Sequence, residues 1–369
     1  MRQQEQELTK DNGALRIYLN SLNSDYTRTA YRFYIRKYLQ ITGYSDIEQF
    51  LAKAISTPKE IENQLIEFVI SLKESGSKFS TIVNYVKPVV GFLKISDVLI
   101  NYDKVNRFVP PYVRNKKTGK YERPQINALL QVADERMRAA ILILSSAGLR
   151  INGLCGLTVG SLKEVNDGKL YQITVYENEP EEYVTFCSSE CKSLGIDPYL
   201  KIRERYSEII TAKSPLIREQ FDRRDPFAAA HPKPVTPAVL TKKLVAMAES
   251  VGIRNRSQLA KGQKSASVLQ HIPVCNGMRR FFSTTLYDSG IKTEMRWLLE
   301  GHFLRRNDPS YIHETDENKL TEYLKAHDNL LISEEHALLQ RVQKLEVEKS
   351  QLDRLAAKLA ALEQRIDEK

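Results

Sequence analysis

Apolar residues recur at helical spacing from Leu15 to about Leu99, and turn signals at Thr42-Gly43, Ser56 to Pro58 and Ser75 to Ser77 cut that stretch into several helices. The helix expected after Ser24 places Arg28, Arg32 and Arg36 on one face, with Ala30, Phe33, Tyr34 and Tyr38 available for a core on the other. Residues 110 to 121, P-P-Y-V-R-N-K-K-T-G-K-Y, break the periodicity with two prolines, a glycine and a cluster of cations that includes Lys116 and Lys117. That composition predicts a basic linker. Beyond it, P-Q-I-N-A-L-L-Q-V-A-D-E and M-R-A-A-I-L-I-L-S-S-A predict two packed helices, the second almost wholly apolar and therefore buried, ending at Gly148 just before Arg150.

The period then changes from helical to alternating. L-Y-Q-I-T-V-Y and E-Y-V-T-F-C are rich in β-branched and aromatic residues, and E-N-E-P-E supplies a turn between them, so a β hairpin is expected within a helical domain. Helix returns over 196 to 212 and again after Thr236, an N-cap followed by Pro237. Between Arg254 and His271 lies a polar loop with Arg254, Arg256, Lys261 and Lys264. From Ser333 onward, Leu338, Leu345, Leu352, Leu359 and Ile366 fall seven apart, with Val342 and Ala356 at the intervening position. The tail is expected to be a coiled coil with another subunit or a helix packed on its own protein.

These patterns predict a mainly α protein with a small β hairpin or sheet. Its expected parts are a helical domain over 1–109, a linker over 110–121, a mixed α+β domain over 122–332 and a heptad helix over 333–369. Composition narrows the function. The 369 residues carry 55 Lys and Arg against 46 Asp and Glu, a net charge of +9, which favours a polyanionic partner such as nucleic acid. Residues 1 to 118 alone hold 18 Lys and Arg against 12 Asp and Glu, so the basic excess is concentrated there. Besides the arginine stripe, Lys78 and Lys87 sit in a segment with Ser80, Thr81 and Tyr85, residue types that contact phosphates, although each stripe also fits a solvated surface. The longest aliphatic run, Ala139 to Leu144, is too short to span a membrane, and the first residues lack the apolar core of a signal peptide. A cytoplasmic, nucleoid-associated protein is expected. Cys155, Cys187, Cys191 and Cys275 are too few for a disulfide framework, and none stands in a ligand pattern for zinc. Free, buried or partly buried thiols and no metal are expected.

Residues 276 to 311 gather candidate phosphate chemistry: Asn276, Arg279, Arg280, His302 after a glycine, and Tyr311. Arginine offers a planar fork of donors for phosphate oxygens, histidine a hydrogen bond or a proton, and tyrosine a hydroxyl able to attack phosphorus. Arginines on an amphipathic helix also fit a solvated face, and Arg150 a helix cap.

The ordered set is G-L-R-I after a buried helix, a β hairpin, R-R-F-F, L-L-x-G-H, and a tyrosine nine residues after that histidine. Over roughly residues 15 to 330 it resembles the tyrosine recombinase or phage-type integrase family. The phrase G-M-R-R-F-F-S-T-T-L and the leucine-rich tail are most similar to the archaeal integrases. The resemblance implies a helical core-binding domain that clamps double-stranded DNA, and a catalytic domain that breaks and rejoins strands through a 3′-phosphotyrosyl intermediate. It implies no metal and no cofactor, and a homo-oligomer on DNA, a tetramer in the family. Carried over by motif, Arg150 and Arg279 are the two catalytic arginines, His302 the histidine that orients phosphate or assists proton transfer, and Tyr311 the nucleophile. Two departures stand out. Asn276 occupies the place, three before the second arginine, where the family usually has histidine or lysine. Pro180 stands in the hairpin turn where the family's general-acid lysine is expected, with Lys169 and Lys192 the nearest lysines. A DNA-binding relative that does not cut, or a type IB topoisomerase, are the alternatives.

Overall fold

The computed structural model describes residues 13–113, 119–222, 224–254, 272–302 and 314–367. The chain divides into two compact units between Lys116 and Lys117.

The first unit is entirely helical among the described residues: α1 (Ala14–Asn20), α2 (Asp25–Thr42), α3 (Ile47–Ser56), α4 (Pro58–Glu74), α5 (Phe79–Ile95) and α6 (Tyr102–Asn106). Local chemistry explains the breaks. Gly43 leaves α2 in the left-handed conformation at φ 81°, which glycine adopts without steric cost. Asp46 then caps α3 by accepting from the Gln49 amide, and Pro58 starts α4 at the position where a missing N–H costs nothing. The core centres on Tyr38, whose ring meets Phe50 and Phe68 edge-on. Gly91 on α5 lets α1 approach, since a Cβ there would lie 2.3 Å from the Tyr18 hydroxyl.

The face of α2 that packs inward differs from the one the sequence suggests. Ile35, Tyr38 and Leu39 are buried, whereas Phe33 is exposed and Ala30 and Tyr34 are only partly covered. On a helix, positions 28 and 32 lie within about 40° of the row through 35 and 39. The arginine stripe therefore borders the core, and Arg28, Arg32 and Arg36 are half-buried rather than on a solvated face.

The second unit begins at the end of the basic stretch. Tyr121 is a core residue, fully buried, with its amide donating to the Gly277 carbonyl. Then come α7 (Arg123–Gln131), α8 (Glu135–Ser146) and α9 (Ile151–Gly156). Every residue from Ala139 to Leu144 is buried. The hydroxyls of Ser145 and Ser146 are satisfied by the carbonyls of Ile141 and Leu142, so α8 buries no unpaired hydroxyl in the core. A three-stranded antiparallel sheet follows: β1 (Leu162–Val165), β2 (Leu170–Val175) and β3 (Tyr183–Phe186), in the order β1-β2-β3. The expected hairpin is β2–β3, in the register Val175 opposite Tyr183. The strand β1 escapes the sequence pattern because L-K-E-V is short and half charged.

A π-helical stretch, Cys191–Ile196, packs on α8 and runs into α10 (Asp197–Arg205). Gly195 makes this possible, since a Cβ there would already touch Leu142 and Ala139. Helix ends at Arg205, short of the expected 212. The remaining helices are α11 (Pro226–Ala230), α12 (Pro237–Ser250), α13 (Val274–Asp288), α14 (Thr293–Leu299), α15 (Asp316–Leu330) and α16 (Glu334–Asp367). Thr236 caps α12 through the Val239 amide. All four cysteines are free, three of them buried. No helix among the described residues is long and apolar enough to cross a membrane.

Candidate functional site

Two turns of chain bring the candidate residues together, and glycine is required in both. Gly148 ends the buried α8 at φ 65°, and a Cβ there would lie 2.1 Å from the Phe282 ring. The chain thereby turns sharply enough for the Gly148 carbonyl to face α13 and for Arg150 to follow at the start of α9. Gly301, after α14, has φ 64°, and a Cβ there would lie 2.4 Å from the Tyr183 ring. That close approach seats His302 beside the start of β3.

Arg279 occupies the centre. It projects from the apolar face of α13 and is nearly buried. Its guanidinium donates to the Gly148 carbonyl at 2.7 Å and the Glu300 carbonyl at 2.6 Å, both at chain ends left open by the preceding helices. Arg150 is half-buried, with long contacts to the Gly301 carbonyl at 3.5 Å and His302 Nδ1 at 3.4 Å. His302 thus lies between the two arginines, its Nε2 3.2 Å from Arg279 Nη2 and 3.1 Å from Glu300 Oε2. The tautomer with the proton on Nε2 donates to Glu300 and accepts from Arg150 on Nδ1. The other tautomer would face Arg150 with a donor and Glu300 with an acceptor.

Glu300 is the member that sequence reasoning missed. It is buried, its Oε2 lies 3.7 Å from Arg279 Nη2, and its Oε1 is buried without a hydrogen-bond partner. An acidic residue at the end of a helix with a tryptophan and an arginine reads as solvated surface. The usable signal was its place immediately before the Gly-His pair, where a charged side chain is carried into the turn.

Electrostatically the pocket has a surplus of positive charge. Burial, and then the charge of Arg150, push the Arg279 pKa down. Partial burial and the charge of Arg279 hold the His302 imidazole below its ordinary value, against the pull of Glu300. A neutral imidazole flanked by two guanidiniums, with one carboxylate held back behind them, is an arrangement that gains from an oxyanion. His302 keeps 43% of its side chain exposed, so the pocket is open to one.

The other candidates are distributed as follows. Asn276 is exposed, one turn before Arg279 on α13. Arg280 is half-buried and its Nη1 reaches the Gly119 carbonyl at 3.4 Å. Arg254 is half-buried near Tyr121 instead of lying on an open loop. In the first unit, Arg28 is tied to the Leu22 carbonyl and to Asp25, while Lys78, at the N-cap of α5, and Lys87, on that helix, are exposed. Tyr311, Arg256, Lys116 and Lys117 lie outside the described residues.

Neither lysine near the hairpin reaches the pocket. Lys192 is held by Glu164 at 2.5 Å and Asp197 at 3.5 Å, over the ring of Tyr171. Burial opposes its charge, but the Glu164 carboxylate outweighs that and raises its pKa. Lys169 lies in the β1–β2 turn, at the opposite end of β2 from Tyr176 and Tyr183. Six residues of strand at ~3.3 Å each separate those ends by about 20 Å. The turn between β2 and β3 carries Glu177, Glu179, Glu181 and Glu182, all exposed.

No family model and no curated relative matches the sequence. Solved structures do. A fragment of the Tn1549 transposon integrase in complex with transposon right-end DNA is similar over 85% of this chain and 99% of its own, with a TM-score of 0.53 and 17% identity. A lambda integrase fragment, solved as a dimer bound to a core site, is similar over 82% of this chain and 97% of its own, with a TM-score of 0.52 and 11% identity. The XerH site-specific recombinase in a pre-cleavage complex with its difH substrate covers 85% of each chain, with a TM-score of 0.50 and 16% identity. The mainly helical architecture, with its small antiparallel sheet beside the arginine pocket, is thus the fold of the tyrosine recombinases.

Proposed function

We propose that the protein is a site-specific DNA recombinase or integrase that cuts and rejoins strands through a 3′-phosphotyrosyl intermediate. The observation that carries this reading is the convergence of Arg150, Arg279 and His302, from three separated stretches of sequence, on one pocket with excess positive charge. The DNA-bound recombinases of the same fold support it. In this reading the two guanidiniums grip the non-bridging oxygens of the scissile phosphate. Charge that builds on those oxygens in the transition state meets donors already fixed by the Gly148 and Glu300 carbonyls, so little reorganisation is needed. Tyr311 attacks phosphorus and displaces the 5′ oxygen, and the phosphotyrosyl ester conserves the bond for resealing. His302 accepts or relays the proton. The nearer likeness to archaeal integrases rests on the phrase from Gly277 to Leu286 and the leucine-rich tail.

The exposed Lys78 and Lys87, with Arg280 and Arg254 of the second unit, supply candidate backbone contacts, as do Arg256, Lys116 and Lys117, which lie outside the described residues. Assembly as a homo-oligomer on double-stranded DNA follows from the same reading. A non-cutting DNA-binding relative is favoured by Asn276 and by the absence of lysine from the hairpin turn. Incubation with nicked duplex selected from a random-sequence pool separates the two. A recombinase leaves an SDS-stable protein–DNA adduct, and a binding protein leaves none on DNA that it demonstrably binds. Relaxation of non-cognate supercoiled plasmid would instead indicate a topoisomerase.

A further inference from the structure

If the pocket cuts DNA, the 5′ oxygen must leave as a hydroxyl, and a proton has to come from somewhere. Among the described residues, the groups usually able to give one are absent from the place where it is needed. Asn276 has no acidic proton in the neutral range, Lys192 is committed to Glu164 and Asp197, and Lys169 lies about 20 Å away along β2. The neutral imidazole of His302 has a single ring proton, for which the Glu300 carboxylate, 3.1 Å from Nε2, competes.

Among the described residues, one unused donor does lie there. Tyr183 is the first residue of β3, directly after the hairpin turn, and its ring packs on Gly301, the residue that precedes His302. Its hydroxyl lies against Arg279 and is buried, yet it has no well-formed hydrogen bond. A buried phenol whose hydrogen bonding is incomplete costs stability unless something else occupies the site with it. Tyr176, on the other side of the turn, is 6.3 Å away ring to ring, and its hydroxyl lies instead over Gly153.

We propose that Tyr183 is the proton donor to the leaving 5′ oxygen, taking the part for which the hairpin turn offers no lysine. The proposal rests on the recombinase reading above. As Tyr311 passes its proton to His302 and forms its bond to phosphorus, the bond from phosphorus to the 5′ oxygen breaks, and that oxygen takes the proton of Tyr183. A 5′ hydroxyl and a phenolate result. On resealing, the 5′ hydroxyl attacks and returns its proton to Tyr183, and Tyr311 leaves, taking its proton back from His302. Burial raises the pKa of Tyr183 and the charge of Arg279, then Arg150, lowers it, so the group is protonated when DNA arrives while the phenolate it leaves faces two cations. A phenol is a far stronger acid than the alcohol it protonates, so the transfer is downhill.

The test compares wild type with Tyr183→Phe on nicked duplexes of a pool-selected site, with either oxygen or sulfur bridging phosphorus and the 5′ carbon at the mapped cleavage position. A thiolate leaves without protonation. Because the contact of the hydroxyl with Arg279 is not a well-formed hydrogen bond, its removal disturbs the free protein little, and duplex affinity is measured alongside to check this. Tyr183→Phe should cleave the oxygen substrate at least ~100-fold more slowly, the lower end of what general acids contribute, and cleave the sulfur substrate within a few-fold of wild type. Equal slowing on both substrates, or no slowing on either, would overturn the assignment. A wild-type protein that binds these duplexes and forms no adduct on either would sink the recombinase reading and the proposal with it.

Discussion

Arg279 is fixed from both sides, by carbonyls at the end of α8 and the end of α14, and its planar fork is what allows it to bind both while facing the pocket. Lysine at this position offers a point charge that cannot span the two. Arg279→Lys is expected to slow covalent cleavage by ~10²–10³-fold, the usual cost of a lost transition-state donor, with duplex affinity nearly unchanged. A rate within threefold of wild type would show that the fork is not used. His302 makes a second prediction. Its pKa is depressed in the free protein, so between that value and the ordinary imidazole value the unfolded chain binds more protons than the folded one. The folded state therefore loses stability as pH falls through that window and regains it above. A bound phosphate supplies negative charge and should raise the His302 pKa, with uptake of protons on binding; Glu300→Gln, which removes a charge favouring the imidazolium, should lower it further. Imidazole resonances followed by NMR through a pH titration, with and without duplex, check both signs. Arg150, Arg279 and His302, which the structure brings together, each stand in a short motif visible in the sequence, Arg150 and His302 beside a helix end and Arg279 within the amphipathic α13. Glu300 was not legible there, because burial of a lone carboxylate depends on the partners that the fold brings, not on its neighbours in the chain.

At the scale of elements, periodicity worked where one face is plainly apolar and failed where the contrast is low. The helix α8 and the β2–β3 hairpin are visible as an apolar run and an alternation. The strand β1 is not, and the inward face of α2 was misassigned because aromatic residues surround the helix and arginine stems can lie along the core. Another element-level feature had no sequence signal at all. Glu208 is fully buried between Arg203 and Arg218, which link the end of α10 to the strand-like segment that leads to α11. Burial opposes the charge on Glu208, but hydrogen bonds from the two arginines outweigh it and hold its carboxyl below the ordinary range. The stability it contributes is thus present above the ordinary carboxylate pKa and is lost as pH falls through its lower folded value. Glu208→Ala leaves two buried guanidiniums facing one another and should cost ~3–5 kcal/mol, read as a drop in the denaturation midpoint at constant slope. A loss below ~1 kcal/mol would mean that water replaces the carboxylate.

For the whole molecule, the tail is the open question of assembly. Its first turn is anchored, since the buried Glu190 carboxylate accepts from the amides of Ile332 at 2.7 Å and Ser333 at 2.8 Å. Beyond that turn, Leu338, Val342, Leu345 and Leu352 lie exposed along α16, and a seam of this kind gains stability only when another helix covers it. Replacing Leu345 and Leu352 by lysine should leave the melting temperature of the isolated chain unchanged and reduce self-association seen by light scattering at micromolar concentrations. An unchanged mass would assign the heptads to something other than subunit contact. The central claim, that the arginine pocket serves a tyrosine nucleophile, is tested most directly by recovering the covalent adduct on pool-selected nicked DNA, digesting it, and identifying by mass spectrometry the residue that carries the 3′-phosphate. The result expected is a phosphodiester on Tyr311 that disappears in Tyr311→Phe; an adduct that persists in that variant, or none from wild type on DNA it binds, would contradict it.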